Sequence, residues 1–197
     1  VALGAAAFMM IGTFDSLWVL VLDDLRAADW IANLGIILFA LPLMFLGAVG
    51  GRLSQRIGPF RVGAVGLLMG AGYMFAYGQM PTAAGMFAVA MVHSLSDGLT
   101  LSASGVAVGL TAPPERQAGA QGLLGGIQTL VGGVAAIVAG SLYEHQGRAT
   151  AYAVCTVAMV VLTATGVALA GRAWTRRPDA GGTESGHDSV AAFTDGA

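Results

Sequence analysis

The sequence predicts an all-α integral membrane protein with six transmembrane helices. Three observations carry that reading. Charged residues make up 10% of the chain and hydrophobic ones 56%, whereas a soluble domain carries about 25% charged residues. Residues 30–51, 117–143 and 149–171 contain no Asp, Glu, Arg or His, and each reaches the ~20 residues that a membrane span needs. Short segments with arginine, glycine or proline separate these runs, as turns between spans require.

Taken in order, the first span covers residues 1–22 and is interrupted by Asp15. It starts at once at Val1, with no charged n-region or signal cleavage pattern ahead of it, so the chain is expected to be incomplete at its amino end. The acidic segment "DDLRAAD" (23–29) closes it. The second span, 30–51, carries Asn33 and Pro42; a kink at Pro42 is expected, with neighbouring helices satisfying the freed carbonyl. Residues 62–112 hold His93 and Asp97 as their sole charged or imidazole groups and are too long for one crossing. The polar residue and proline of "GQMP" (78–81) divide them into a third span, 62–78, and a fourth, 82–111. The fifth covers 117–143 and the sixth 149–171. Residues 173–197 are polar and glycine-rich and read as a disordered tail.

Six crossings place both ends on one side. Arg52, Arg56, Arg61, Arg116, Arg172, Arg176 and Arg177 fall on the side of the termini, and Arg26 and Arg148 on the other. The positive-inside rule then puts both termini in the cytoplasm and the chain in the cell's inner (plasma) membrane. Trp18, Trp30, Tyr77 and Tyr143 are expected in the interfacial belt, where amphipathic rings are favoured.

Several function classes find no support. A net charge of −2 provides no basic surface for nucleic acid. The lone Cys155 forms no internal disulfide and gives no metal spacing, so no metal or other cofactor is expected. No matched serine–histidine pair for an intramembrane protease is present, "DG" at 97–98 lacks the continuation of a phosphotransferase signature, and no phosphate loop or HExxH occurs. The chain is therefore read as a non-enzyme.

"GRLSQRIG" (51–58) and "GSLYEHQG" (140–147) share Gly, Leu and Gly at an offset of 89 residues. That offset is three spans, so the two copies lie on opposite membrane faces. A 3+3 inverted repeat, the construction of many transporters, has that property.

His93 and Asp97 lie one helical turn apart on one face of the fourth span, near the bilayer midplane. A charged aspartate facing lipid there costs about 2.5–3.5 kcal/mol. Facing a watery cavity it can take up and release a proton. A structural hydrogen-bond pair between helices is the alternative. Asp15, in the outer half of the first span, is either hydrated near the interface or a cavity residue. Gln121 and Gln128 share nearly one face of the fifth span, as packing hydrogen-bonders or cavity liners. Gly119, Gly126, Gly133 and Gly140 recur every seven residues, with Gly122 four before Gly126; such a stripe is expected to let two helix backbones approach closely.

Two motifs resemble the major facilitator superfamily. Its short cytoplasmic loop has the form G-x-L-a-D-R-x-G-R-[RK]. Here Gly51, Leu53, Arg56 and Gly58 stand in register, with Arg61 just beyond, while Gln55, Pro59 and Phe60 depart from it. "PPERQAGAQG" (113–122) is similar to the P-x-x-R-x-x-A/G-x-G segment that opens the family's eleventh helix. The resemblance covers residues 1–172. It implies the carboxy-terminal six helices of a twelve-helix secondary transporter, with an amino-terminal six-helix half as partner. It also implies alternating access for a small-molecule substrate, with proton-coupled efflux, as in drug antiporters, as the leading mode. The resemblance makes the first and fourth spans cavity-lining, which brings Asp97, His93, Asp15 and Gln128 forward as candidates for proton or substrate contact. Nutrient import, a non-transporting receptor or scaffold, and a half-size unit that dimerises in the bilayer are the alternatives.

Overall fold

The fold was analysed in a computed structural model that describes residues 1–171 and Trp174. Apart from Trp174, the expected tail 173–197 lies outside the described residues. Among the described residues seven α-helices form the bundle: α1 Ala2–Asp24, α2 Asp29–Ile57, α3 Pro59–Gln79, α4 Ala83–Thr100, α5 Ser102–Thr111, α6 Gln117–Gln146 and α7 Arg148–Ala170. Pro114–Arg116 form a 3₁₀ turn before α6. With α4 and α5 taken as one crossing, six segments are long and apolar enough to span a membrane.

The helix boundaries follow local chemistry. α2 runs past residue 51, because Arg52 and Arg56 are good helix formers that reach water without ending the helix. It stops at Gly58, whose φ of 106° and ψ of 128° suit glycine, and Pro59 opens α3 at a position where a missing N–H costs nothing. One residue thus links two helices. The same device joins α6 to α7, where Gly147 has φ 85° and ψ 169°. Gly58 and Gly147 are the last glycines of the two repeated octapeptides.

Polarity is arranged inside out relative to a soluble domain. Met44 and Phe45 on α2 are each 69% exposed and Ile137 on α6 is 75% exposed, whereas Thr13, Ser54, His93, Asp97, Gln128 and Thr163 are buried. In water that surface would associate; in lipid it is the solvated one. α2 and α6 have the smallest buried share of the crossings.

Helix pairing has an exchange symmetry. α1 packs chiefly on α6, and α4 on α2; α3 packs on α7; α7 also covers α1, as α3 covers α4. Exchanging the first three crossings with the last three leaves that pattern unchanged. Glycines set both close crossings. A Cβ on Gly12 would collide with the Gly132 carbonyl of α6, and one on Gly98 would stand 2.9 Å from the Pro42 oxygen of α2.

The glycine stripe on α6 does not serve this purpose within the chain. A Cβ at Gly119, Gly122, Gly126, Gly133 or Gly140 would meet nothing within 4 Å. α6 meets the core through Leu124, Gln128, Gly132 and Ala139. Gly133 follows Gly132 by one residue, about 100° round the helix, so the heptad stripe faces outward. The belt expectation also fails for two aromatics. Trp18 and Tyr77 are 2% and 0% exposed, because both turn into the bundle, onto Phe14 at ring centroid distances of 5.0 and 5.5 Å.

Candidate functional site

The fourth crossing stays helical from α4 into α5: Leu101 between them has φ −59° and ψ −37°, and its N–H donates to the Asp97 carbonyl at 2.9 Å. Four of the hydroxyls along it, those of Ser94, Ser96, Thr100 and Ser104, turn back onto their own helix. Ser96 Oγ donates to the His93 carbonyl at 2.9 Å, Thr100 Oγ1 to Ser96 at 3.0 Å and Ser104 Oγ to Leu101 at 3.3 Å. Such back-bonding competes with the helical ladder and bends helices.

His93 and Asp97 are 1% and 3% exposed. Their side chains meet, with His93 Nε2 3.3 Å from Asp97 Oδ2. That is ion-pair distance, but the alignment is not that of a hydrogen bond, and Nε2 has no other partner among the described residues. The other ring nitrogen, Nδ1, shares a proton with the Tyr77 hydroxyl of α3 at 3.0 Å. Asp97, His93 and Tyr77 therefore form a line of groups, each able to hold a proton. Beyond Tyr77 lies Tyr152 of α7, with ring centroids 5.7 Å apart and a buried hydroxyl that has no partner among the described residues.

An aromatic box holds the imidazole. Tyr73 and Tyr77 of α3, Phe39 of α2 and Phe14 of α1 place their rings 5.0, 5.8, 5.7 and 6.0 Å from its centroid. The box fixes the ring between Tyr77 and Asp97 and joins four helices at one point. None of its members was singled out from the sequence as a site residue. Tyr73 and Tyr77, one turn apart inside an apolar span, are the signal that was available.

The remaining candidates are separated from this pair. Asp15 is exposed, on the side of α1 away from the face that buries Phe14 and Trp18. Gln128 is buried and lies over Gly4 of α1, its Nε2 3.0 Å from where a Cβ would stand. Gln121 and Gln117 donate to the carbonyls of Gly105 and Gly109 in α5 at 3.0 and 3.1 Å. Gln117 and Gln121 thus pin α6 to the fourth crossing. In the loop motif, Gly58 makes the turn, Gly51 and Leu53 are half-buried, Arg56 is exposed and Arg61 is half-buried at the start of α3. Among the described residues no cluster of side chains suits a metal ion.

The profile of the Major Facilitator Superfamily matches residues 1–195. The chain belongs to this superfamily. Comparison with individual curated proteins gives no match. Membership joins the six apolar crossings in making this a multi-pass membrane protein of a small-molecule transporter family.

Proposed function

We propose that this chain forms the carboxy-terminal half of a proton-coupled exporter of small molecules working by alternating access, with both termini in the cytoplasm. Asp97 takes up and releases the coupling proton, and His93, oriented by Tyr77, passes it on or holds it. The observation that carries this reading is the buried Asp97–His93–Tyr77 line in the interior of the bundle. Intramembrane carboxylates are expensive and mark ion or proton paths. The open faces of α2 and α6 support an amino-terminal six-helix half as the partner that covers them. Asp15, exposed on α1, would then face substrate across that boundary.

The test is transport in reconstituted vesicles under an imposed pH gradient, with a panel of fluorescent organic solutes. Asp97→Asn is expected to abolish gradient-driven flux while expression and monodispersity in detergent persist. Undiminished pH-dependent flux would remove Asp97 from the mechanism. Accumulation against the opposite gradient would indicate import. Absence of flux for every solute, together with tight binding of one, would favour a receptor or scaffold.

A further inference from the structure

We infer that protons reach Asp97 through a water path enclosed within this six-helix bundle, separate from the open faces of α2 and α6. The inference rests on the proposed proton role of Asp97.

A cavity of about 350 Å³ opens among the helix ends on the side of the loop at Gly58. Its inner end is formed by Met10, Leu67 and Asp97, and its mouth by Pro59, Thr111 and Ala170. A water molecule in the liquid occupies about 30 Å³, so the space holds a file of waters. Among the described residues Asp97 is the one ionisable side chain that lines it, and Val1 lies near the mouth. His93 on its own helix faces Asp97 at 3.3 Å; around that imidazole Tyr73 and Tyr77 of α3 are titratable, whereas Phe14 of α1 and Phe39 of α2 are not.

One wall carries the polar side chains of the lining. Asp97, Thr100, Ser104 and Thr111 line the cavity along α4 and α5, interspersed with Leu101, Ala103, Ala107 and Val108. The three hydroxyl protons are already committed to the carbonyls of Ser96, Leu101 and Ala107. Each oxygen therefore offers its lone pairs to water. Waters that donate to this row and to one another form a path along which a hydronium delivers its proton to the Asp97 carboxylate, leaving water behind. His93 does not line the cavity, so Asp97 receives the proton first. Neither α2 nor Asp15 contributes to the lining, and α6 contributes Leu124 alone. Proton and substrate would therefore have different entrances.

Chemical access to position 97 tests this without knowledge of the substrate. In the full chain carrying Cys155→Ala, Asp97→Cys is labelled in detergent with the membrane-impermeant reagent 2-(trimethylammonium)ethyl methanethiosulfonate. Adding Ala107→Phe, which fills the cavity near its mouth, is expected to slow labelling at least ten-fold. Met44→Trp on the open face of α2 is expected to leave the rate unchanged. Ser104→Leu serves as the filler should Ala107→Phe fail to give monodisperse protein. An unchanged rate with either folded filler, or slowing by Met44→Trp, would overturn the enclosed path. Failure of the proton role itself is read separately, from undiminished pH-dependent flux in Asp97→Asn.

Discussion

The first and fourth crossings occupy equivalent places in the exchange pattern, yet they use polarity in opposite ways. α1 is one unbroken helix that buries Phe14, Leu17 and Trp18 and leaves Asp15 exposed. The fourth crossing buries His93, Ser94, Ser96 and Asp97. The two even share a contact, since Phe14 supplies one side of the box around His93. A scaffold with this exchange pattern thus supports an asymmetric site: the first triplet supplies the aromatic walls and Tyr77, the second the His93–Asp97 pair. Pairing and turns repeat because packing requires them. The proton-bearing residues do not, because one line of them suffices.

The scaffold side of this comparison is broken most severely at its glycine crossings. Gly12→Ala places a methyl group on the Gly132 carbonyl, where backbone meets backbone and no rotamer gives relief. Overpacking of this kind costs about 3 kcal/mol or more. The expected outcome is loss of the monodisperse peak in detergent chromatography. Gly98→Ala, against the Pro42 oxygen and Leu46, should behave alike at the matching crossing. Survival of one variant and loss of the other would mean that the two crossings are not equivalent.

The site side is broken by His93→Phe. A phenyl ring fills the aromatic box and keeps its packing, but neither Tyr77 nor Asp97 retains a nitrogen to face. Positioned proton transfer contributes about 10²–10⁴-fold, so gradient-driven flux should fall about a hundred-fold while the folded protein persists. Normal flux would reduce His93 to a packing residue and leave Asp97 to act alone.

The repeat is sharpened by its two turns. Gly58 and Gly147 occupy backbone regions that other residues enter at a cost of about 1–3 kcal/mol. Gly58→Ala and Gly147→Ala should therefore lower the thermal midpoint in detergent by similar amounts. A large effect at one turn and none at the other would show that the octapeptide match carries no structural equivalence.

How far the sequence could be read follows from the range of the forces involved. Six crossings were legible because lipid imposes a length and a charge rule on each segment by itself. The buried positions of His93 and Asp97 followed from a charge cost that depends only on depth. The aromatic box was not legible, since it is assembled from four helices and periodicity in one says nothing of its neighbours. Tyr77 illustrates this: near a span end it suited the interfacial belt, and contact with His93 from another helix drew it inward.

The smallest effect expected on the bundle separates internal packing from assembly. Gly126 and Gly133 lie on the outward stripe of α6, with nothing within 4 Å of a Cβ at either. Surface substitutions of this kind change stability by about 0.5 kcal/mol or less, so Gly126→Ala and Gly133→Ala should leave the thermal midpoint of the full chain where it is. Helix propensity pulls slightly the other way, because alanine is the better helix former. The stripe is still a smooth track on which a second helix backbone could lie close in lipid. Gly133→Leu in the intact transporter should then reduce flux although the bundle itself stays folded, because a bulky side chain holds the covering helix off. Unchanged flux with Gly133→Leu would leave the stripe to lipid and place any partner bundle against α2 instead.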